Sequence, residues 1–179
     1  MKRINPKQAY SFYIINTHTM YLAPEAYTKI REQVLEILHE KYPGQFIVGE
    51  PWDYIALFPA KHEKVGYLKL YQDIEFITYV VQYVNHGHLN CPEDETPDYT
   101  ANYMKWEVVE LLEDLLNDNM LFGVDRGLTF SMGIPRCPPE NWEDYMEPGV
   151  DYFVWSGPIP NLAEEKGKDT AVFRKRLEE

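Results

Sequence analysis

From residue 24 onward the apolar positions Tyr27, Ile30, Val34, Ile37 and Leu38 recur at steps of three and four, the spacing of one face of a helix. Pro24 suits the first helical position, where a missing N–H costs nothing, and Pro43 with Gly44 stops the run. A stronger stripe, Met104, Val108, Leu111, Leu112 and Leu115, predicts a second helix over 98–119 packed on the core. Between them, residues 45–49, 54–58 and 65–71 are short, rich in β-branched and aromatic side chains, and separated by turn residues. They predict a meander of antiparallel strands.

Residues 9–16 and 150–156 are two further strand-like runs, and in 128–134 Leu128, Phe130, Met132 and Ile134 alternate with small or polar positions. Residues 73–87 carry both signals. Their Ile, Val, Thr and Tyr favour strand, but Glu75, Thr78, Gln82 and Asn85 fall at helical intervals, with Asp73 and Gly87 suited to cap the ends, and this predicts a helix. Residues 135–149 contain four prolines and predict a long loop. Helices and strands in this mixed order, without regular βαβ alternation, predict an α+β fold: a mostly antiparallel sheet of about five or six short strands packed with two or three helices. One domain would span 1–160, followed over 161–179 by a charged tail, either a short helix or mobile.

Composition agrees with a single domain. The chain has 179 residues, of which 45% are hydrophobic and 26% charged, sufficient for one core. Cys91 and Cys137 stand far apart, a usage that fits reduced thiols and a cytoplasmic location. The N-terminal Lys2 and Arg3 are followed by Asn5, Pro6 and Lys7 rather than an apolar stretch, so no export signal is expected. No uncharged apolar run is long enough for a membrane span.

Charge changes the picture more than composition does. Seventeen Lys and Arg face 29 Asp and Glu, for a net charge of −12, and residues 91–151 hold three of the bases and fifteen of the acids. The excess therefore lies in one third of the chain. Blocked charge of one sign directs and orients a complementary partner, and disfavours direct binding to a phosphate backbone. Within the block, Glu107, Glu110, Asp114 and Asp118 follow at steps of three or four, predicting a row of carboxylates on one helix face opposite much of the leucine stripe. In the loop that follows, Trp142, Tyr145 and Met146 stand among Glu140, Glu143, Asp144 and Glu147. Aromatic anchors with charge around them are what a protein–protein hot spot needs, although large aromatics also serve to pin loops to a core.

Other chemistry has less support. His86, His88 and Cys91 are close in sequence, but their spacing lacks the paired regularity of a structural zinc motif, and no metal or cofactor is expected. The glycines form no Gly-x-Gly pair, Ser131 lacks the glycine of a nucleophile elbow, and the 117–119 segment fails as a calcium loop at Leu121 and Phe122. Glu50 and Asp53 flank Trp52, a weak hint of paired carboxylates.

These observations point to a non-catalytic acidic binding protein, with partner-binding residues Glu107, Glu110, Asp114, Asp118, Trp142, Glu143, Asp144 and Tyr145. Its expected partner is a basic protein that binds or cuts nucleic acid, held at its phosphate-binding surface. Phage inhibitors of nucleic-acid-guided defence (anti-CRISPR proteins) and nuclease-immunity proteins have this charge and size, an analogy resting on those two properties alone. Two alternatives belong to other classes: a small metal- or carboxylate-dependent hydrolase or nucleotide-modifying enzyme using Glu50, Asp53, His86, His88 or Cys91, and an acidic assembly protein that self-associates.

Overall fold

The computed structural model describes residues 24–72, 76–92, 95–126 and 131–164. Helix α1 (Pro24–Lys41) leads into five strands: β1 (Ile47–Val48), β2 (Ala56–Phe58), β3 (Leu68–Gln72), β4 (Phe76–Val81) and β5 (Asn85–Asn90). Helix α2 (Pro97–Leu116) follows, then β6 (Leu121–Asp125), β7 (Ser131–Ile134), a 3-10 helix (Pro139–Tyr145), β8 (Val150–Val154) and β9 (Gly157–Ile159). The described strands form two antiparallel sheets, one in the order β1-β2-β3-β4-β5 and one in the order β7-β6-β8-β9. The α+β class and the meander expected from the sequence are both present, with more and shorter strands than the sequence suggests. The strand expected at residues 9–16 and most of the charged tail lie outside the described residues.

Over its described residues, 76–87, the expected 73–87 helix is instead part of a hairpin. Thr78 pairs with His88 and Val80 with His86, while Ile77 and Val81 are buried. A helix would leave the bulky β-branched residues Ile77, Val80 and Val81 crowded against the preceding turn, whereas a pleated strand sends Ile77, Tyr79 and Val81 inward and Thr78 and Val80 outward. The period of the polar residues misled because Gln82 belongs to the hairpin turn and Asn85 to the next strand.

Both helices pack on one face of the five-stranded sheet. Ile30, Val34 and Leu38 of α1 meet Met104, Val108, Leu112 and Leu115 of α2 in a cluster that includes Ala56, Phe58, Leu68, Leu70, Ile77 and Val81. The opposite face presents Leu57, Lys69, Tyr71, Thr78, Val80, His86 and His88, all half-buried or exposed. A second cluster, Leu121, Cys137, Met146, Val150, Tyr152 and Val154, lies between the four-stranded sheet and the 3-10 helix. The sheets meet where Ser131 Oγ donates to Asn85 Oδ1 at 3.2 Å. There a Cβ on Gly133 would sit 2.4 Å from Asn85 Nδ2, so a larger residue would displace the Asn85 amide from this junction.

Leu112 is fully buried at the meeting of helices and sheet. Leu112→Ala is expected to lower the unfolding free energy by about 2–5 kcal/mol in a urea titration, and a loss below about 1 kcal/mol would contradict this placement in the core.

Candidate acidic and aromatic interaction surface

Helix α2 begins with a full set of end signals. Thr96 caps it by accepting from the Tyr99 amide at 3.3 Å, and Pro97 occupies its first turn. At the other end the Asp118 amide reaches the Leu115 carbonyl and the Asn119 amide the Asp114 carbonyl, with Asp118 at a φ of 61°. This is a Schellman ending, with aspartate in the left-handed position that glycine usually takes.

With the stripe of Met104, Val108, Leu111, Leu112 and Leu115 buried, the residues farthest from the core are Tyr99, Tyr103, Trp106, Glu110, Glu113 and Asn117, all exposed. They form one ridge along the helix. Its first half is aromatic: Tyr99, Tyr103 and Trp106 are 50%, 38% and 46% exposed, and the two tyrosine rings stack with centroids 6.4 Å apart. Lys105 Nζ and Lys41 Nζ lie 5.5 and 5.9 Å from the Trp106 ring. Its second half is acidic, in Glu110 and Glu113. The three aromatic members were missed in the sequence, although their own steps of four and three give them away once the buried stripe is set aside.

The expected row of four carboxylates is therefore divided. Glu110 is on the ridge and pairs with Arg136 Nη2 at 2.6 Å. Glu107, Asp114 and Asp118 stand on the flank and are half-buried rather than opposite the core. Asp118 is committed to the fold, accepting from the Ser156 amide at 2.8 Å. Glu107 faces Tyr103 and raises the pKa of its phenol. Other acids on this side also have cations beside them, Asp98 with Lys29 at 2.8 Å and Glu113 with Lys41 at 3.1 Å.

The acidic turn is less neutralised. Glu140, Glu143, Asp144 and Glu147 are all exposed on or just beyond the 3-10 helix. Among the described residues no ion pair involves Glu140, Asp144 or Glu147. The turn is held from beneath: Trp142 is half-buried and donates from Nε1 to the Cys137 carbonyl at 3.0 Å, and Met146 is buried. The Tyr152 hydroxyl donates to the Tyr145 carbonyl at 3.0 Å and accepts from the Glu147 amide at 2.8 Å. Trp142 is thus an anchor of the loop, whereas Tyr145 is 48% exposed. Ridge and turn adjoin, since Arg136 reaches Glu110 and the Cys137 amide bonds the Asn119 carbonyl at 2.7 Å.

The residues considered for catalysis do not converge. His86 and His88 point out from the five-stranded sheet, whereas Cys91 is half-buried against the core, where burial pushes its thiol up to about 11. Trp52 is exposed in the turn between β1 and β2, with Glu50 and Asp53 exposed beside it. Both cysteines are free, and no group of three or more His, Cys, Asp or Glu among the described residues is arranged to hold a metal ion. No described helix is long and apolar enough to cross a membrane.

Burial raises the Asp114 pKa above its ordinary 3.8; the Arg136 amide and charge oppose this, and Glu110 and Glu113 add to it. The folded chain thus holds this proton more tightly than the unfolded one, and the group's contribution to stability falls as pH rises from the ordinary value through the raised one. Asp114→Asn removes that loss, so its stability relative to wild type should improve between about pH 4 and about pH 7 in urea titrations. A relative stability that worsens toward neutral pH would contradict this account of Asp114.

In comparisons with known proteins, no family model, curated protein or solved structure matches this chain.

Proposed function

We propose that this chain is a non-catalytic acidic binding protein that occupies the phosphate-binding surface of a basic, nucleic-acid-handling protein. The observation that carries the reading is the α2 ridge, on which Tyr99, Tyr103 and Trp106 stand exposed in line with Glu110 and Glu113. Large rings supply contact area with few rotors, and aligned carboxylates orient a cationic partner and reject an anionic one. The adjoining turn extends the same chemistry through Glu140, Glu143, Asp144, Glu147 and Tyr145.

The resident cations are compatible with this role. Lys41–Glu113 and Arg136–Glu110 are surface pairs, and such pairs contribute little. A guanidinium from a partner exchanges for the resident cation at small cost and brings a planar, two-pronged fit to the carboxylate. Glu110 and Glu113 on the ridge, with the acids of the adjoining turn, stand in for phosphates in a groove shaped to hold them. Inhibition then needs occupancy and no reaction.

The test is capture of nucleic-acid-binding proteins from nuclease-treated extract, followed by competition between this chain and a labelled oligonucleotide for the captured protein. Trp106→Ala is expected to weaken capture by about 2 kcal/mol, roughly 30-fold in Kd. Glu110→Lys with Glu113→Lys should abolish it, and the wild-type association rate should fall as salt rises. Simultaneous binding of oligonucleotide and this chain, or undiminished capture by the double variant, would contradict the proposal.

A further inference from the structure

The outward face of the five-stranded sheet has the opposite chemistry. Strands β2, β3, β4 and β5 read ALF, LKLYQ, FITYVV and NHGHLN, without one carboxylate in a chain of net charge −12. The register places Lys69, Val80 and His86 in one cross-strand row and Tyr71, Thr78 and His88 in the next. Lys69 Nζ lies 4.7, 5.4 and 5.6 Å from the ring centroids of Tyr54, Tyr71 and Tyr67. Thr78 Oγ1 and His88 Nδ1 are hydrogen-bonded at 2.9 Å, and the His86 and His88 rings are 5.8 Å apart. The face therefore offers one ammonium among three tyrosines, with Asp53 of the turn before β2 near enough to act on it and two exposed imidazoles beside it.

We propose that this face receives the acidic turn of a second copy of the chain, centred on Glu143, Asp144 and Tyr145. The charges are complementary, and the turn is the right size. One ammonium and two imidazoles suit a compact group of carboxylates around a ring, whereas a nucleic-acid strand is held by many cations along its length. Tyr145 supplies a half-exposed ring to set against Tyr67 and Tyr71, and aromatic pairs add to the area they bury. Repulsion between two chains of net charge −12 is damped beyond about 8 Å at physiological ionic strength, while contacts at the interface are screened less. Because turn and sheet face are different surfaces, the contact is head-to-tail, and each added chain leaves one free surface of each kind. The contact shares the turn with the proposed partner surface but does not depend on that reading.

Sedimentation equilibrium at physiological salt tests it. Wild type is expected to show a weight-average mass above that of one chain, rising with concentration. Lys69→Glu should be monomeric, as should Glu143→Lys with Asp144→Lys, both retaining the wild-type circular dichroism. Lys69→Gln repeats the loss should Lys69→Glu unfold. An equimolar mixture of the two monomeric variants retains one sound sheet face and one sound turn, so it should restore association to at least a two-chain species. A wild type that is monomeric throughout, a variant that associates like wild type, or a mixture that remains monomeric overturns the proposal. So does binding of a single-stranded oligonucleotide that Lys69→Glu abolishes. Glu110→Lys with Glu113→Lys should leave self-association intact, and Lys69→Glu should leave capture of a basic partner intact, so that failure of one reading is separable from failure of the other.

Discussion

Burial of one apolar stripe on α2 sets the rest of this structure. Met104, Val108, Leu112 and Leu115 are fully buried against α1 and the five-stranded sheet, and each such side chain stabilises the fold by about 1.5–3 kcal/mol relative to exposure. No surface interaction on the helix competes with that sum. The stripe therefore fixes the rotation of α2 about its axis, and with it the identity of the ridge that faces water. A rotation large enough to expose the whole row of Glu107, Glu110, Asp114 and Asp118 would lift part of this stripe out of the core.

The same rotation decides how the acidic excess is used. Carboxylates on the flank of α2 meet the rest of the molecule: Asp118 accepts the Ser156 amide and Asp114 lies by Arg136. Those on the ridge meet water and the long cations Lys41 and Arg136. Among the described residues Glu140 and Asp144 of the 3-10 helix have no such cation beside them, and Trp142 and Met146 turn inward beneath them. The sheet behind the helices is free of carboxylates on its strands. The molecule thus has an acidic, aromatic side and a side of tyrosine, histidine and lysine, and both surface proposals follow from this division.

Much of the fold was legible because its strongest signals are local. Both helices carry clear apolar periods with proline at the start, and the 45–71 meander is punctuated by turn residues. Three features were not. Residues 76–90 form a hairpin whose strand content competed with a coincidental helical spacing of polar residues across the turn. Strand β6 (Leu121–Asp125) is short and interrupted by Gly123, and only its pairing with β7 and β8 makes it a strand. For the candidate surface, residue spacing gave membership of a row but not its angle to the core, which is a property of packing. Hence Glu110 is exposed on the ridge, Glu107, Asp114 and Asp118 are half-buried on the flank, and Tyr99, Tyr103 and Trp106 join the ridge without a signal in the acidic row. The expected 135–149 loop contains the 3-10 helix Pro139–Tyr145, and its two aromatics divide the work, Trp142 holding the turn and Tyr145 facing out.

The α2 ridge and the turn beside it are the surface proposed to meet a basic partner. A residue-resolved NMR footprint of the isotopically labelled chain, titrated with a captured basic protein, tests this most directly. With the monomeric Lys69→Glu chain, signals of Tyr99, Tyr103, Trp106, Glu110, Glu113 and the 140–147 turn are expected to shift or broaden together, while those of His86 and His88 on the far sheet face hold still. A footprint centred on that sheet face, with the α2 ridge unmoved, would contradict it.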